Sequence, residues 1–116
     1  MFERRERLQE LFHQEIASAV LTIKDPGLKG FLTVTGVELS PDQKNLHIFY
    51  SILGSAEDKK SAAKALERAA PYLRQLAKKH LVLRTIPNFI FEYDDTPARA
   101  ARVERIIKRL EESEDQ

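Results

Sequence analysis

Apolar residues recur along this chain with two periods, and the switches between them divide it into elements. Leu8, Leu11, Phe12, Ile16, Ala19, Val20 and Ile23 are spaced by threes and fours, which predicts an amphipathic helix over residues 3–23. Lys24-Asp25-Pro26-Gly27 stops it, because neither proline nor glycine continues a helix. From Phe31 the period falls to two, and residues 31–40 read as a strand rich in β-branched side chains. The inward phase slips from Leu32 and Val34 to Val37 and Leu39, which predicts a bulge at Gly36. Ser40 to Asn45 is a turn with Pro41 at its first corner. In the second strand, 46–53, Leu46, Ile48, Tyr50 and Ile52 share one face, and His47, Phe49 and Ser51 the other.

A short link through Gly54 and Ser55 returns the chain to the helical period. Between Lys59 and Arg84, Ala62, Leu66, Ala69, Leu73, Leu76 and His80 or Leu81 form an apolar stripe. Pro71 stands in the middle. It has no N–H, its ring collides with the carbonyl of Glu67, and it pushes Ala70 out of the helical region, so a break is expected there. Asn88 to Asp94 is a third strand, with Phe89, Phe91 and Tyr93 on one face, read as core packing rather than a base-stacking platform. Thr96-Pro97 then caps and opens a final helix. Its inward side is Val103, Ile106, Ile107 and Leu110, its outward side Arg99, Arg102, Arg105, Lys108 and Arg109.

The order is helix, strand, strand, broken helix, strand, helix, an α+β arrangement. A short turn makes the first two strands antiparallel. A helical crossover of about thirty residues makes the second and third parallel, with right-handed connection. The expected result is a three-stranded mixed sheet in order 1-2-3, with helices on one face. His47, Phe49, Ser51, Ile90 and Glu92 would lie on the other face. Residues 1–110 read as a single domain and 111–116 as an acidic tail that frays.

Composition adds little until charge is mapped. The 116 residues include no cysteine, which excludes disulfides and thiolate metal sites. No apolar run approaches a membrane span, and the charged start Met1-Phe2-Glu3-Arg4-Arg5 is not that of a signal peptide. A formal charge of +1 looks featureless. It hides an asymmetry. Lys59 to Arg84 holds eight basic residues against the single acid Glu67, a local +7, while the remaining 11 basic and 17 acidic residues leave −6. A concentrated cationic helix on an acidic body is the electrostatic footprint expected for a polyanion. The candidate phosphate contacts are Lys60, Lys64, Arg68, Arg74, Lys78, Lys79 and Arg84. Arg4, Arg5 and Arg7 are secondary candidates, offset by Glu3 and Glu6.

A catalytic reading has less behind it. His13, His47 and His80 are scattered over two helices and a strand without ligand spacing, Asp94-Asp95 has the look of a turn, and no nucleophile–base pattern is visible. No enzyme activity, metal or cofactor is expected.

The element order resembles a type II KH domain. More narrowly, the chain resembles the ribosome-binding factor A family (RbfA). The landmarks are Asp25-Pro26, Val34 through Asp42, Tyr50-Ser51, Leu66 through Arg74, Leu83-Arg84, and Pro87-Asn88-Phe89 with Phe91 and Asp94. The family carries an Ala-x-Gly kink between its two helices; here that position reads Ala69-Ala70-Pro71. A stiffer kink, without an N–H for a phosphate, is therefore expected. The resemblance implies a cytoplasmic ribosome biogenesis factor that binds the immature small (30S) subunit and its 16S rRNA. It further implies help with late maturation and rRNA end processing, especially in the cold. Neighbouring ribosomal proteins and assembly GTPases are implied as further partners, with no membrane and a monomeric state off the ribosome. The alternatives are a ribosome-associated silencing or hibernation-type factor and a protein-interaction adaptor.

Overall fold

The computed structural model describes residues 4–29, 31–95 and 108–109. Helix α1 (Arg4–Ala19) ends in a tight 3-10 turn, Val20–Thr22. Strands β1 (Phe31–Leu39) and β2 (Asn45–Leu53) precede the long helix α2 (Ala56–His80), and β3 (Asn88–Tyr93) follows. The sheet has the expected order, β1-β2-β3, with β1 antiparallel and β3 parallel to β2. The final helix expected from Thr96 onward lies outside the described residues, apart from Lys108 and Arg109, which are helical and exposed.

Each strand face is set by the alternation. Leu46, Ile48, Tyr50 and Ile52 are buried beneath the helices, and Val34 and Leu39 of β1 join them. Phe12 and Ile16 of α1 and Leu66, Leu73, Ala62, Ala65 and Ala77 of α2 close the core from above. No polar or charged side chain among the described residues is buried, so the core is apolar and its stability comes from area removed from water. His47, Phe49, Ser51, Ile90 and Glu92 occupy the opposite face, where His47 Nδ1 lies 2.9 Å from Glu92 Oε1.

The register slips between Val34 and Gly36, so the extra residue of the bulge is Thr35, one position before the glycine expected to carry it. Gly36 itself stays paired, opposite Phe49. The slip brings Val37 and Leu39 back to the inward side. It also re-aims Thr35, whose hydroxyl donates to Asp94 at 2.7 Å.

One expectation for the long helix, the break at Pro71, needs correction. The helix begins at Ala56, directly after the Gly54-Ser55 link, and Ser55 is its cap, accepting from the Asp58 N–H at 3.1 Å while Asp58 accepts from the Ser55 N–H at 3.0 Å. It then runs as one element through Ala70 and Pro71 to His80, leaving Leu81 to Arg84 outside it. The break does not interrupt the helix, because both halves are anchored by buried side chains, Leu66 before the proline and Leu73 after it. The proline also falls on the solvent side. Pro71 and Glu67 are exposed, so the carbonyl left without its helical N–H partner faces water.

The turn after α1 is fastened to α2. Asp25 accepts from the Gly27 N–H at 2.8 Å and takes the Arg68 guanidinium in a two-point pair, both at 3.0 Å. Ser61 donates to the Gly27 carbonyl at 2.6 Å. The approach is close at Gly27, where a Cβ would sit 2.9 Å from the Arg68 guanidinium and 3.1 Å from Ser61 Oγ, so a side chain there would displace these groups.

Candidate nucleic-acid interface

At about 100° per residue, Lys60, Lys64, Pro71, Arg74 and Lys78 lie within about 40° of one direction around α2. Ala62, Ala65, Leu66, Leu73 and Ala77, the buried residues of the helix, fill the opposite half. The cations therefore form an outward stripe, with Arg68 and Lys79 on one flank. Lys59 falls on the other flank, its ammonium 5.2 Å from the centre of the Tyr93 ring.

Alike in sequence, these cations differ in what holds them. Arg68 is neutralised by Asp25, whose carboxyl is held below its ordinary value by the Arg68 hydrogen bonds first and the Gly27 N–H second. Arg74 is half-buried and donates from Nε to the Pro87 carbonyl at 3.1 Å and from Nη2 to the Ile86 carbonyl at 3.0 Å. Those acceptors are neutral, so Arg74 keeps its charge. Lys60, Lys64, Lys78, Lys79 and Arg84 are exposed and have no carboxylate partner among the described residues. Arg4, Arg5 and Arg7 are exposed on the first turn of α1.

Two hollows adjoin along the second half of α2. One, of about 300 Å³, is lined by Pro71, Arg74, Gln75, Lys78 and Ile86. The other, of about 260 Å³, is lined by Arg74, Lys78, Leu83, Arg84, Thr85 and Ile86. No acidic residue lines either. Sequence reading found the three cations here and missed the wall they share, Gln75, Thr85 and Ile86. The Pro87 before β3 signals an extended segment, but nothing in a side-chain pattern announces that the carbonyls of Ile86 and Pro87 will receive an arginine.

A larger concavity, about 490 Å³, lies where α1 crosses the β1 bulge, between Glu6, Arg7, Gln9, Glu10, His13, Thr35, Gly36 and Val37. Its two carboxylates make it a poor continuation of the cationic face. The five titratable candidates do not converge. His13 Nε2 is 3.4 Å from the Val34 carbonyl, long for a hydrogen bond, and His80 Nδ1 lies 2.6 Å from Glu15 Oε1. Asp94 accepts from Thr35, and Asp95 is exposed. Among the described residues, no three histidine or carboxylate side chains gather around a common point as metal ligands, and no helix is long and apolar enough to cross a membrane.

Comparison with known proteins bears on this geometry. The model of the family described as Ribosome-binding factor A matches residues 4–107. The chain is 38% identical over 111 residues to ribosome-binding factor A of Dictyoglomus thermophilum, covering 95% of this chain and 92% of that one. Among solved structures it is similar to the crystal structure of ribosome-binding factor A from Thermus thermophilus. The TM-score is 0.69 at 25% identity, over 77% of this chain and 93% of that one. It is also similar to a homology model of the Thermus thermophilus protein fitted into a cryo-electron microscopy map of a 30S–RbfA complex. Here the TM-score is 0.64 at 26% identity, over 74% and 90% of the two chains.

Proposed function

The chain belongs to the ribosome-binding factor A family, and from that premise we propose that it binds the immature small ribosomal subunit through the 16S rRNA and assists late maturation, including processing of the RNA ends. The observation that carries this reading is the outward cationic stripe of α2, set opposite its buried face and largely free of carboxylate partners among the described residues. Such a face supplies affinity and orientation by phosphate contact and little choice of sequence. Structured RNA is then selected by shape and by fit on the particle. The relative fitted into a 30S complex supports the same target. On this reading the protein is cytoplasmic and acts without a cofactor, as a binding factor and not an enzyme.

Sedimentation and RNA analysis test it together. The protein is expected to travel with free small subunits and to be absent from translating ribosomes. Cells depleted of it are expected to accumulate small-subunit RNA with unprocessed ends, most strongly in the cold. Normal RNA ends in depleted cells, or a protein that rides on translating ribosomes as a silencing factor would, overturns the proposal.

A further inference from the structure

The seven candidate cations do not carry equal weight in the geometry: the three that line a hollow, Arg74, Lys78 and Arg84, all follow Pro71, while Lys60, Lys64, Arg68 and Lys79 line neither. Before the proline, α2 is fastened to the body: Arg68 is paired with Asp25, Ser61 holds the Gly27 carbonyl, and the neighbouring Lys59 lies over Tyr93. Lys60 and Lys64 stand on the bare helix surface and line neither hollow beside α2. After the proline, the helix and the segment 81–87 enclose a groove. Arg74 and Lys78 belong to both of its hollows, and Arg84 closes the second.

We propose that this groove, between the second half of α2 and residues 81–87, is the phosphodiester-binding site for single-stranded or irregular RNA. This rests on the RNA-binding reading above and narrows it. Arg74 is the positioning residue. Its bonds to the Ile86 and Pro87 carbonyls hold the groove wall against the helix while leaving a full positive charge at the floor. Lys78 and Arg84 are the phosphate contacts, exposed and without carboxylate partners among the described residues. Leu83 and Ile86 supply low-dielectric walls, which strengthen the field inside a concavity relative to the same charges on a convex surface. Val82, which precedes Leu83 in the chain, is fully exposed and is an apolar surface available to a sugar or an unstacked base. The two hollows are each on the scale of a single nucleotide, which suits a strand passing through and not a duplex.

The test compares two pairs of substitutions that remove equal charge from exposed positions, Lys78→Ala with Arg84→Ala and Lys60→Ala with Lys64→Ala. The probe is a fluorescein-labelled single-stranded oligoribonucleotide, read by anisotropy across a salt series, with thermal melts to verify that both variants fold. The groove pair is expected to lower affinity about tenfold and to reduce the salt slope by roughly 1.4, about 0.7 for each phosphate no longer neutralised. The stripe pair, whose cations line neither hollow, is expected to lower affinity less than about threefold and to reduce the slope by clearly less than the groove pair does. Equal losses from the two pairs, or a larger loss from Lys60 and Lys64, overturn the groove while leaving small-subunit binding intact as a function. A parent protein with no affinity for the oligoribonucleotide overturns the groove; if it also fails to travel with small subunits, the functional reading falls with it.

Discussion

Asp25 shows how one short side chain fixes the relation between two helices. Its carboxylate satisfies the Gly27 N–H at the turn leaving α1 and the Arg68 guanidinium on α2, and both favour the charged form. The folded-state value is therefore depressed, and the sign of its linkage to stability follows. The contribution is complete above the unfolded value of about 3.9 and is lost as pH falls through the lower folded value. Asp25→Asn is expected to lower the urea midpoint at neutral pH, and the gap from the parent is expected to narrow below about pH 4. A gap that stays constant down to about pH 3 would mean that shape and not charge holds the turn. The turn itself was legible in Asp25-Pro26-Gly27, because proline and glycine act locally. The partner was not, since Arg68 lies 43 positions away and reads in sequence as one more cation of the stripe.

At the scale of elements, period and punctuation are reliable where the physics is local. The phase slip in β1 announced a bulge within one residue of where it falls, because only an extra residue returns Val37 and Leu39 to the core. Pro71 is the opposite case. The rule against interior proline concerns the backbone alone, whereas here Leu66 and Leu73, both fully buried, hold the two halves on one sheet and outweigh it. If that account is right, the proline is a tolerated cost and not a support. Pro71→Ala would restore one N–H to the Glu67 carbonyl and remove the ring clash. An interior proline costs about 3 kcal/mol relative to alanine, less about 0.4–1 kcal/mol for the freedom returned to the unfolded chain and whatever the helix has already relaxed. The expected outcome is a stabilisation of ~1–2 kcal/mol by urea unfolding. No gain, or a loss, would show that packing of the two halves requires the bend the proline imposes.

At the scale of the whole molecule, the described residues present two unlike surfaces, and these divide the candidate modes of docking between them. One is the cationic side of α2 with its groove. The other is an apolar rim at the end of the open sheet face, where Phe31 and Leu53 stand opposite each other across β1 and β2 with 74% and 77% of their surface exposed. Such a pair contributes little to folding, since most of its area is never removed from water. It is instead the feature that a protein-interaction adaptor would use. With a total charge of only +1, long-range attraction to a polyanion depends on the separation of charge within the chain and not on its sum. Binding through α2 therefore makes a specific claim about salt. The double substitution Phe31→Ser with Leu53→Ser is expected to shift stability by less than about 1 kcal/mol, and to leave both the affinity for isolated small subunits and its salt slope unchanged. Loss of affinity with the salt slope preserved would move the interface to the sheet rim. The cationic helix would then steer the encounter, and an apolar contact with protein would hold it.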